Sequence, residues 1–115
     1  MPAPMTTIGF EWTNAADWIV LFQANDDETG DLIDFTGAEI AVAIKDRVGA
    51  VRLSALVGSG IEIVETGTFE LRFTAAQMAM LCQGSYAIGG VYRINGATNQ
   101  LFRGTLGVVD GVASL

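Results

Sequence analysis

Apolar and polar residues alternate with a period of two along much of this chain. The clearest case is Phe69, Leu71 and Phe73, separated by Glu70 and Arg72, a pattern that gives an extended segment one apolar face and one wet face. Ile40, Val42 and Ile44 alternate in the same way with Ala41 and Ala43, whose small side chains leave room for close packing on the second face. Such runs are rich in β-branched and aromatic residues and are interrupted by Gly, Asn and Asp about every 8–12 residues. They predict about eight strands, at residues 7–12, 18–23, 38–45, 51–56, 61–64, 68–73, 85–94 and 100–109.

Three local signals refine this picture. Thr74 and Gln77 have the spacing of a capping box, Met78 to Leu81 continue an apolar run, and Gly84 supplies a stop, so one short helix is expected near residues 75–82. Asn95-Gly96 between two extended runs reads as a tight hairpin that pairs the last two strands. Gly89-Gly90 inside a long strand marks a bulge, a bend or the close approach of another backbone. The expected fold is all-β, an antiparallel β-sandwich in a single domain over residues 1–115. Residues 1–6, with Pro2 and Pro4, are expected to form an extended arm that reaches a neighbouring subunit.

Composition adds a preference for assembly. With 115 residues the chain is long enough to bury a core without metals or disulfides. Half of it is apolar and only 17% is charged, against roughly 25% in ordinary soluble domains. The surplus apolar residues either fill an unusually apolar core or leave a sheet face to be buried against a second copy or a partner, and an assembly is the expectation. A formal charge of −7, with Lys45, Arg47, Arg52, Arg72, Arg93 and Arg103 as the only basic residues, argues against nucleic acid as a partner. Cys82 is the only cysteine, which excludes an internal disulfide. No basic segment followed by an apolar one opens the chain, and the longest strongly apolar run is residues 18–22. The expectation is therefore cytosolic synthesis with no membrane partner.

Candidate chemistry is sparse. The chain has no histidine, which removes the commonest general base and every Ser-His or Cys-His arrangement. Cys82 reads as a packing residue. In the acidic stretch around Gly30, Asp26, Glu28 and Asp31 are weak calcium candidates that lack the spacing of a calcium loop. An enzyme would need an acid/base pair among Glu62, Glu65, Glu70 and Asp110 facing each other across a cleft. A carbohydrate or peptide platform would need Trp12, Trp18 or Tyr92 exposed in a groove, whereas aromatic residues in strands more often pack inside. Gly58-Ser59-Gly60 and Gly89-Gly90 lack the strand-to-helix context of a phosphate loop. The expectation is no enzyme, no cofactor and no committed metal site.

The order of features nevertheless follows a known plan. Asp34-Phe35-Thr36-Gly37-Ala38 opens a strand, Gly60-Ile61-Glu62-Ile63 follows a turn, and the segment from Thr74 to Leu81 precedes Gly84-Ser85-Tyr86. Leu101-Phe102-Arg103-Gly104 then leads into the last strand. This resembles the small immunoglobulin-like β-sandwich domains of bacteriophage tail and baseplate proteins, including the N-terminal domain of baseplate upper proteins. Phe35 stands where leucine is common in that group. The resemblance implies a virion structural or adaptor protein, assembled in the host cytoplasm, that docks to other virion proteins in several symmetry-related copies. It implies no catalytic residues. A carbohydrate- or peptide-binding sandwich is the alternative.

Overall fold

The computed structural model describes residues 6–25 and 29–112. Residues 1–5 of the expected arm lie outside this range. The chain is all-β apart from one helical turn, with the order β1 (Thr6–Thr13), β2 (Trp18–Gln23), β3 (Glu39–Lys45), β4 (Val51–Val57), β5 (Gly60–Glu65), β6 (Thr68–Phe73), α1 (Ala75–Met78), β7 (Gly84–Ile94) and β8 (Ala97–Val109). Each strand coincides with one of the segments expected from the sequence to within about three residues.

The strands join into one sheet in the order β1-β8-β7-β3-β4-β5-β6-β2, which curls until it nearly closes into a barrel. This corrects the expectation of a purely antiparallel sandwich, because β1 pairs with β8 in parallel and β4 pairs with β5 in parallel. The β4/β5 link involves only Leu56 with Gly60 and Val57 with Ile61, so it holds a five-stranded limb and a three-stranded limb together by a short hinge of backbone pairing. Although β1 and β2 are consecutive, they do not form a hairpin. Asn14 anchors the loop between them elsewhere: its N–H donates to the Val109 carbonyl at 3.1 Å and its Nδ2 to the Leu81 carbonyl at 3.1 Å, while its Oδ1 accepts from the Gly111 N–H at 3.1 Å.

Aromatic side chains close the gap that this leaves. The Phe10 ring on β1 meets Trp18 and Phe22 on β2 edge-on, with centroids 5.4 and 5.9 Å apart. Phe22 stacks on Phe102 of β8 at 4.7 Å and on Phe69 of β6 at 5.1 Å. Phe35, from the loop before β3, stands edge-on to Phe69 and Tyr92 and is fully buried. The core behind them is drawn from the inward-facing positions of both limbs, including Ile40, Val42, Ile44, Leu71, Phe73 and Leu106.

The local signals resolve into geometry. Asn95 and Gly96 both have positive φ, 53° and 81°, as a two-residue hairpin of primed type requires, and β7 and β8 pair on either side of it. The register between β7 and β8 shifts between Gly90 and Val91, so Leu101 is the extra residue and Leu101 and Phe102 are both buried. Gly90 is needed there because a Cβ would lie 2.5 Å from Cε1 of Phe102. The helix is a single turn, shorter than expected. Gln77 Oε1 accepts the Thr74 N–H at 2.9 Å and Thr74 Oγ1 accepts the Gln77 N–H at 3.2 Å, while Asp17 Oδ1 accepts the Ala75 N–H at 2.6 Å. After this turn the N–H groups of Met80 and Leu81 bond to carbonyls three residues back. The tightened turn keeps Met78 and Leu81 buried together.

Replacing Gly90 with Ala is expected to destabilise the protein by about 1–3 kcal/mol, because Phe102 must move from its place in the aromatic seam. Phe22→Ala is expected to lose about 3–5 kcal/mol. Chemical denaturation of each variant against the parent protein measures both.

Candidate functional site

The residues proposed for chemistry do not converge. Asp26 and Glu28 lie outside the described residues. Asp31 is exposed and its N–H donates to Thr29 Oγ1 at 3.2 Å. Among the described residues no three acidic or cysteine side chains gather in a way that could hold a metal ion. Cys82, expected to be buried, is instead exposed. It sits just past α1, where the chain turns back toward β7, and the inward positions of this turn are taken by Met78 and Leu81.

Of the four carboxylates considered for acid/base work, two meet. Glu62 on β5 is directly opposite Glu70 on β6, on the outer face of the three-stranded limb. They border a broad open hollow of 810 Å³ that also involves Gly58, Gly60 and Arg72. Arg72 Nε lies 3.6 Å from Glu70 Oε1, and both side chains are in contact with solvent. Glu65 pairs with Thr68 further along, and Asp110 follows β8. The pair is thus a solvated cross-strand contact on an open surface. A cleft with aromatic walls is not formed there, since none of the tryptophans or tyrosines borders the hollow.

The aromatic platform is dispersed as well. Trp18 and Tyr92 belong to the core, and Trp12 is partly exposed with its Nε1 donating to the Asp17 carbonyl at 3.1 Å. Tyr86 has a structural task that the sequence reading missed. Its hydroxyl accepts the Cys82 N–H at 2.8 Å and donates to the Cys82 carbonyl at 3.1 Å, tying the start of β7 to the turn after α1. Gly84-Ser85-Tyr86 at a strand start was the available signal. Bonded in this way to backbone four residues upstream, Tyr86 makes a corner at the start of β7. The Asp34-Phe35-Thr36-Gly37 segment is structural in the same sense. The Asp34 carboxylate accepts hydrogen bonds from the Thr36 side chain and the Thr36 N–H, which hold its pKa below the usual value, and the turn directs Phe35 inward.

What remains is a surface. Ala41 and Ala43 point outward from β3, in register with Val91 and Gly89 of β7 on one side and with Leu56 and Ser54 of β4 on the other. Leu56 is 57% exposed although it neighbours this low floor. Two shallow hollows that share Ala41 and Val91 run end to end along it, from Glu39 and Arg93 to Lys45. Along β3 the charges lie at the ends, where Glu39 forms an ion pair with Arg93 and Lys45 is exposed at the opposite end, while Arg103 of β8 flanks the floor beside Gly89. A face of this kind offers no nucleophile, acid/base pair or deep pocket, and it suits contact with another protein surface. In comparison with known proteins, the sequence matches no family model and no curated relative.

Tyr86→Phe is expected to destabilise the fold by about 0.5–1.5 kcal/mol, because the solvent-accessible Cys82 N–H and carbonyl exchange their bonds to the hydroxyl for bonds to water. Urea melts compared with the parent protein measure this. Asp34 has a lowered folded-state pKa, so its contribution is present above the unfolded carboxylate pKa and is lost as pH falls through the folded value. Asp34→Asn is expected to flatten the acid limb of the stability profile, read from denaturation midpoints across acidic pH.

Proposed function

We propose that this protein is a non-enzymatic docking module, a bacteriophage virion structural or adaptor protein of the tail, baseplate or fibre-attachment class. The observation that carries the reading is the outer face of β7, β3 and β4, a low, mainly apolar floor with exposed Leu56 beside it and Glu39 and Lys45 at opposite ends of β3. Burial of apolar surface is the main source of protein–protein affinity, and Leu56 stands exposed beside the partly buried Ala41, Ala43 and Val91.

The immunoglobulin-like sandwich is the finer reading of the fold. In its favour are the division into five-stranded and three-stranded limbs linked by only two paired positions, the core between them and the Tyr86 corner. These features agree with the resemblance to phage tail and baseplate domains. The expected partners are other virion proteins and further copies of this chain, without nucleic acid or membrane. The alternative of a carbohydrate- or peptide-binding module draws less support, since two of its three platform aromatics are in the core.

The test is made on particles from a host producing the virus that encodes this sequence. Mass spectrometry across a density gradient is expected to find the protein at a fixed ratio to the major structural protein. Its absence from particles overturns the reading. Leu56→Asp is expected to reduce incorporation with unchanged thermal stability, corresponding to a loss of about 1–2 kcal/mol at a contact of this type.

A further inference from the structure

The outer face described above is complementary to itself. Along β3 the outward residues run Glu39, Ala41, Ala43, Lys45, with an acid at one end, a base at the other and two alanines between. A two-fold axis lying in the contact plane, perpendicular to the strands and level with Val42, would set two copies of β3 antiparallel, face to face. Glu39 then meets Lys45 of the second copy, and Ala41 meets Ala43. The neighbouring strands obey the same rule. Val91 and Leu56 flank Ala41, and Gly89 and Ser54 flank Ala43. The rotation therefore places Val91 over the second Gly89 and Leu56 over the second Ser54, large side chain against small on both sides.

We infer that this face of β7, β3 and β4 binds a second copy of the chain as a two-fold dimer, with reciprocal Glu39–Lys45 contacts at its ends. The inference rests on the docking reading and names the partner and the geometry for it. Two-fold contacts require that every contact be made twice by one patch, and few surfaces satisfy this at once for charge and for size. This one satisfies charge along β3 and size on β7 and β4. Small side chains allow the sheets to approach closely, and face-to-face packing of sheets is a standard way to bury such a surface. Lys45 makes no ion pair among the described residues. Glu39 bonds Arg93 through Oε2, leaving Oε1 to accept from the second copy. The net charge of −7 opposes association in general. The local attraction at the rim offsets it and fixes the antiparallel arrangement over the parallel one, in which like charges would meet.

Sedimentation equilibrium of the full chain at low salt tests this directly. The parent protein is expected to be a dimer in a concentration-dependent equilibrium. E39K and K45E each replace two attractions with two repulsions and are expected to weaken it roughly tenfold to a hundredfold. Mixing the two variants restores an attractive partner at both ends, so the mixture is expected to form a heterodimer that neither variant forms with itself. Ala43→Arg is expected to abolish the dimer by obstruction. All three substitutions are at solvent-facing positions, and circular dichroism and melting curves verify that the fold is intact.

A parent protein that stays monomeric overturns the inference. So does an oligomer unaffected by E39K, K45E and Ala43→Arg, or a mixture of the two charge variants that stays as weak as each alone. The docking reading fails separately: a protein that fails these tests yet is present in particles at a fixed ratio docks through another surface. One absent from particles loses the docking reading as well.

Discussion

The contact between the Phe10 ring and the β2 aromatics, continued by Phe22 on Phe102, is the interaction on which the rest of this fold depends. The sheet is open between β1 and β2, and no backbone ladder closes it. Closure is left to side chains that face the interior from β1, β2, β6 and β8. Edge-on and offset aromatic pairs add a geometric preference to the burial of large apolar area, so they hold the two limbs at a defined spacing where hydrogen bonds do not. The opposite junction, β4 with β5, is equally slender, with two paired positions. The limbs are therefore held together by the core between them more than by the sheet that formally connects them.

This arrangement explains several residues that would otherwise look incidental. Phe102 reaches the seam because a bulge places it and Leu101 inside together, and because Gly90 opposite presents no Cβ. Asn14 holds the first loop away from a hairpin and so permits β1 to run alongside β8. Tyr86 and Asp17 secure the crossing from the three-stranded limb to the five-stranded one on either side of the single helical turn. With so much large apolar volume directed inward, the middle of the outward face of β7, β3 and β4 is left with Ala41, Ala43, Gly89 and Ser54 beside Val91 and the exposed Leu56.

Much of this was legible along the chain because it is local. β-Branched and aromatic stretches punctuated by Gly, Asn and Asp located the strands, and period-two alternation gave several of them their faces, since side chains in extended backbone alternate whatever their neighbours are. The capping box, the Asn95-Gly96 turn and the glycines opposite a bulge express conformational limits of one to four residues. The low second face of β3 was visible for the same reason, as Ala41 and Ala43 had to point away from Ile40, Val42 and Ile44.

Pairing was not legible. Whether β1 lies against β2 or β8, and whether the limbs form one mixed sheet or two antiparallel ones, depends on contacts between residues nearly a hundred positions apart, such as Asn14 with Gly111. No periodicity encodes such contacts. The tertiary structure likewise decided that Trp18 and Tyr92 serve the core, that Cys82 is exposed, and that Glu62 and Glu70 meet on an open surface. The sequence by itself determined which way each side chain points from its own strand. Only the folded sheet determined which strands stand side by side, and therefore which outward residues combine into the face where size and charge complement their own reversed copy.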